Sequence, residues 1–174
     1  MLIKNSIIYL SSSILSKSVP FLLLPIMTTY LTPKEYGVLS IYLIFITLYN
    51  AFIGMNMHAN ISKNFFKVPK EELSSFIGNI FYILGFTFIF YLSVTYIISV
   101  FYDDFFSIPT NWLLAIPFIS FAMMINELNT TILRNEQRAY MFSIFEVSNI
   151  AIKMGFTILF LLVFFMSWFS QIIG

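Results

Sequence analysis

Backbone hydrogen bonding constrains this chain more than any motif in it. Five stretches, Ser6 to Leu31, Tyr36 to Met57, Phe76 to Tyr102, Asn111 to Leu133 and Tyr140 to about Phe169, are predominantly apolar. Each is long enough to match the roughly 20 residues that a helix needs to cross hydrocarbon. Inside lipid no water is available to pair peptide groups, so such stretches must be helices unless the chain closes into a barrel. The expected fold is therefore all-α: a polytopic transmembrane helix bundle of five spans, forming a single transmembrane domain over residues 1–174.

Composition supports the same class. The chain is 59% hydrophobic and only 10% charged, with mean hydropathy +0.89 and 22 Phe among 174 residues. A soluble domain of this size could not hide that much apolar surface. A net charge of +1 provides no basic field for nucleic acid, so none is expected as a partner. With no Cys, thiolate catalysis and zinc-ribbon sites are excluded.

The first span begins after Lys4 but is too long for the apolar core of a signal peptide. It also contains Lys17, Pro20 and Pro25, so it reads as a retained helix. The turn Leu31-Thr32-Pro33-Lys34-Glu35-Tyr36-Gly37 has a capping Thr, a Pro suited to the first helical position and an acid where a capping box needs one. It predicts a tight connection between two helices. An N-in topology leaves Lys4, Lys63, Lys67, Lys70, Arg134 and Arg138 in the cytoplasm and Lys34 outside, as the positive-inside rule favours. The segment His58 to Ser75 is the longest connection. Its Phe65, Phe66 and interleaved lysines suit either a short helix lying on anionic lipid or a solvated linker.

Four ionisable residues fall within the expected spans: Lys17, Glu127, Glu146 and Lys153. Charge in the membrane is expensive and by default marks a pathway or a site. On span five, Ser143, Glu146, Asn149, Lys153 and Thr157 follow one another at helical spacing and share a face, which must meet protein or water. Ser6, Ser13 and Lys17 form a second polar seam on span one, with Asn5, Ser12 and Ser16 beside it. Ser40, Thr47, Asn50 and Gly54 line a face of span two, and Met123, Asn126, Glu127 and Thr130 a face of span four. Span three carries no charge in its apolar stretch and is expected at the periphery.

Helical rise puts Lys17 about 16 Å above Ser6 and Lys153 about 20 Å above Tyr140, both near mid-membrane. Glu127 and Glu146 each fall about 9 Å from the cytoplasmic edge, where two facing carboxyls would share a proton and serve ion coupling. The alternative is structural: Lys153 paired with Glu146 two turns away, or with another carboxylate, purely for neutralisation. His58, at a span end with no metal-ligand spacing or nucleophile nearby, is expected to be an ordinary interfacial residue. No P-loop, zinc-binding motif or nucleophile elbow is present, so neither enzymatic activity nor a cofactor is expected.

Asn5-Ser6, Ser16-Lys17-Ser18-Val19-Pro20, Pro25 and the turn Leu31 to Gly37 resemble the N-terminus of polysaccharide biosynthesis flippases. These are the O-antigen and capsule transporters of the multidrug/oligosaccharidyl-lipid/polysaccharide exporter superfamily. The turn is similar to that family's L-G-P-x-E-Y-G signature, with Thr32 in place of Gly. Leu133-Arg134-Asn135-Glu136-Gln137-Arg138-Ala139-Tyr140 is similar to its basic loop after the fourth helix.

The resemblance implies a multi-pass protein of the bacterial inner membrane and part of the N-terminal half of a MATE-like transporter, whose other half would be a partner, as would other polysaccharide-assembly membrane proteins. It further implies a lipid-linked oligosaccharide as substrate, flipped between leaflets amid membrane lipids. Lys17 and Lys153 would then bind the diphosphate, with Asn50 and Asn149 facing the sugars. Three alternatives stand beside it: a multidrug or cation antiporter of the same superfamily, which would call for an acid where Lys17 stands, a membrane-embedded enzyme, and a truncated membrane protein without transport.

Overall fold

A computed structural model of the chain describes residues 2–102, 104–106 and 108–151. Helix α1 runs Leu2–Tyr30, α2 Pro33–Gly54, α3 Met57–Asn64, α4 Lys70–Phe101 and α5 Thr110–Asn135. Residues 139–151 are also helical. The only strands among the described residues are β1 Asp104–Phe105 and β2 Ile108–Pro109, a minimal antiparallel hairpin pairing Phe105 with Ile108. Apart from that clasp, the regular elements among the described residues are helices.

Three of these helices, Pro33–Gly54, Lys70–Phe101 and Thr110–Asn135, are long and apolar enough to cross a membrane. The first expected span is helical over Leu2–Tyr30, and the fifth is helical as far as residue 151, with 152–169 outside the described residues. Three candidate spans, against five expected, is thus the count among the described residues.

Two boundaries differ from expectation for local reasons. Helix α4 starts at Lys70 rather than Phe76, because Pro69 precedes it and Glu71 and Glu72 in its first turn favour a helix N-terminus. At 32 residues it is about 48 Å long, well beyond a ~30 Å hydrocarbon core, so its polar first turns extend past the apolar stretch. Helix α2 stops at Gly54, before Met57, because Met55 and Asn56 both adopt left-handed backbone, φ 43° and 58°. Asn tolerates that region and Met does not, so the elbow into α3 is locally strained.

The packing divides the chain into two compact units, one comprising Met1–Thr32 with Gln137–Gly174 and the other Pro33–Glu136. The boundaries fall at the Thr32-Pro33 turn and at Gln137, whose φ is 58°.

In the Pro33–Glu136 unit, α5 packs against α2, α3 and α4. One core cluster joins Ile53, Met57, Ile61, Ile80, Leu84, Met124 and Leu128. A second, nearer the hairpin, joins Ile46, Ile108, Leu113 and Ile116. Hydroxyls stitch the helices where lipid offers no competing water. Ser120 donates to the Ile46 carbonyl at 2.9 Å and Thr87 to the Ile53 carbonyl at 2.9 Å. Thr95 Oγ1 stands 2.7 Å from the Tyr91 carbonyl and 2.9 Å from the Tyr49 hydroxyl, so its single proton serves the carbonyl while Tyr49 donates to it.

Outward faces are as apolar as the core. Tyr82, Phe86, Phe90, Ile97 and Phe101 on α4 are exposed, an arrangement that water would penalise and lipid would not. Helix α3 occupies the first part of the His58 to Ser75 connection. Met57, Ile61 and Phe65 turn into the protein core, leaving Phe66 as the exposed aromatic.

Candidate functional site

In the terminal unit, α1 and the helix over 139–151 touch through Ser12, beside the polar seam of span one, and Ser143, the first residue of the polar stripe of span five. Ser12 Oγ and Ser143 Oγ are 2.7 Å apart, sharing a hydrogen bond. One turn before Ser12, Tyr9 packs edge-on against Phe142, with centroids 5.0 Å apart and Phe142 fully buried. Tyr9 and Ser12 meet consecutive residues, 142 and 143, so the small Ser pair lets the backbones approach while the aromatic pair fills the space beside it.

Lys17 lies one turn beyond Ser13 on α1 and is exposed. Glu146 and Asn149, three and six residues beyond Ser143, are half-buried. Lys153 lies outside the described residues. The structure therefore joins α1 to the helix over 139–151 and positions Lys17, Glu146 and Asn149.

In the other unit, Asn50 is half-buried on α2. Its expected companions Ser40 and Thr47 donate back to the Tyr36 and Leu43 carbonyls, at 2.8 and 2.9 Å, so their protons are already used within the helix. Gly54, the last of that face, is buried against Met124.

Glu127 sits on α5 between the core residues Met124 and Leu128, and its carbonyl accepts from Thr130 at 3.0 Å. Its carboxylate Oε1 is 3.5 Å from His58 Nδ1. Glu127 and Glu146 belong to separate units, and the partner given to Glu127 is His58. His58, expected as an ordinary interfacial residue, stands beside that acid. Met57 and Ile61 dock α3 on α5, and His58, which follows Met57, is carried against Glu127. No sequence periodicity signalled this, because the strained elbow at Met55 and Asn56 resets the helical phase. Among the described residues, no group of three or more acids and histidines is placed to hold a metal ion.

No family model matches the chain, and no solved structure matches it. Over 73 residues, 42% of its length, it is 38% identical to a protein of Haemophilus influenzae described as an uncharacterized membrane protein. Over 71 residues, 41% of its length, it is 38% identical to a protein of the same organism described as Lsg locus putative protein 1. The matched stretch spans 18% of each relative. Together with the apolar helices, these likenesses identify the chain as a membrane protein.

Proposed function

We propose that this chain is a five-span, N-in part of the N-terminal half of a flippase in the bacterial inner membrane, moving a lipid-linked oligosaccharide for surface polysaccharide assembly. The observation that carries the reading is the Ser12–Ser143 contact, which joins α1, the helix that carries the exposed Lys17, to the helix bearing Glu146 and Asn149. A polar seam shared by two apolar helices has no satisfied state facing lipid and needs a polar occupant or a partner helix.

A diphosphate head group supplies charge opposite to Lys17, and in a site of intermediate dielectric the attraction is several kcal/mol at contact, about 4 at an effective dielectric of 20. The positive sign of Lys17 argues against a cationic drug as substrate. Asn50 and Asn149 are the amides offered to sugar hydroxyls. The remaining half of the transporter would complete the cavity, as paired repeats do in other transporters.

Replacing Lys17 and Lys153 singly by Ala in the intact transporter, at matched protein levels, tests the assignment. Loss of surface polysaccharide with accumulation of lipid-linked precursor is the expected result. Unchanged surface polysaccharide in both variants overturns it.

A further inference from the structure

We propose that His58 and Glu127 form a proton-binding pair that latches α3 onto α5. His58 Nδ1 is buried although its ring is partly exposed, and it has no hydrogen bond in the structure. The nearest acid oxygen, Glu127 Oε1, stands 3.5 Å away. The neutral imidazole can offer Nδ1–H to this carboxylate, and a second proton on the ring makes that donor cationic, turns a weak contact into an ion pair and draws the groups together.

The surrounding structure makes that change mechanical. Helix α3 is eight residues long, too short to persist on its own, and is held by Met57 and Ile61 in the core. It hangs from two left-handed residues, Met55 and Asn56, of which Met55 is the strained one. Latch and hinge are thus two to three residues apart, His58 following Met55 and Asn56. The other charged groups on the packed elements are Lys63 on α3, Lys70, Glu71 and Glu72 in the first turn of α4, Arg134 in the last turn of α5, and Lys34 and Glu35 at the far end of α2. It is His58 that stands within ion-pair distance of Glu127.

The proton comes from water at the exposed edge of the ring, where the two side chains are 38% and 43% accessible. When bound, it leaves the imidazolium donating from Nδ1 to Oε1. This site stands on geometry alone and does not depend on the substrate proposed above.

The chain has no Cys and one His, so single-cysteine labelling reads the latch cleanly. Ile61→Cys, at a fully buried position, reacts with a maleimide only when α3 lifts, and the exposed Ser62→Cys on the same helix normalises for thiol reactivity. Met57→Cys reads the same contact if Ile61→Cys does not assemble. In the full chain in lipid nanodiscs, normalised labelling is expected to be about two- to fivefold slower at about pH 5.5 than at about pH 8, the range of a partly exposed ion pair. Both His58→Gln and Glu127→Gln are expected to abolish that difference. Equal protection at the two pH values, or a difference that survives in either variant, overturns the proposal. The readout is helix position, so either result leaves the polysaccharide test independent.

Discussion

Gly54 packs so closely against Met124 that a β-carbon at position 54 would overlap the Met124 Cε. This contact brings the end of α2 onto α5 one residue before the elbow into α3. It does so with a flexible thioether whose far end can move.

Gly54→Ala is therefore expected to be mild, because Met124 can swing aside, whereas Gly54→Val should destabilise by about 1–3 kcal/mol through overpacking. Adding Met124→Ala to Gly54→Val should recover part of the loss. Thermal unfolding of the purified protein in detergent checks this, and an additive double variant would contradict the contact.

Thr87 links α4 to α2 through the Ile53 carbonyl while also lying 3.0 Å from its own Leu84 carbonyl. Thr87→Val keeps the shape, removes the donor and leaves the Ile53 carbonyl without it, an expected loss of about 0.5–1.5 kcal/mol. Thr87→Ser should keep most of the stability. Equal unfolding midpoints for the Val and Ser variants would show that the bond contributes nothing.

The Ser12–Ser143 contact is testable by distance alone. In this cysteine-free chain, Ser12→Cys with Ser143→Cys should form a disulfide under mild oxidation, visible as a gel shift reversed by reductant. Ser13→Cys with Ser143→Cys is the control, one residue out of register, and should cross-link far less. Equal yields would contradict the alignment of the two helices.

Charge sign at Lys17 distinguishes an anion site from a merely polar one. Lys17→Arg is expected to retain polysaccharide export and Lys17→Glu to reduce it at least tenfold, since the replacement exchanges attraction for repulsion at one point. Pulse-labelling of surface glycan at matched protein levels checks it. An active Glu variant would remove Lys17 from the head-group site.

Much of the site was legible because helical spacing is a property of sequence. Ser12 and the stripe beginning at Ser143 were read as polar faces that could not meet lipid, and the structure joins them. Asn149 falls on the stripe of Ser143 by the same arithmetic, whereas Lys17 shares its face with Ser13 and stays exposed. Glu127 was legible as an intramembrane acid, but its partner was not. His58 lies sixty-nine positions away in sequence, on a helix whose phase is set by two residues of left-handed backbone.

The sequence by itself determined the membrane class and the helical state, because long apolar stretches in lipid allow the backbone few ways to satisfy its own hydrogen bonds. It also determined which helix faces are polar, through the 3.6-residue period. Only the tertiary structure decided that α5 packs with α2, α3 and α4, that α3 turns Met57, Ile61 and Phe65 inward instead of onto lipid, and that Glu127 answers to His58. The reason is physical: in helices apolar on nearly every side, hydropathy does not distinguish a lipid-facing residue from a buried one. Close fits such as Gly54 against Met124, and hydroxyls that find a neighbouring carbonyl, choose the partners instead.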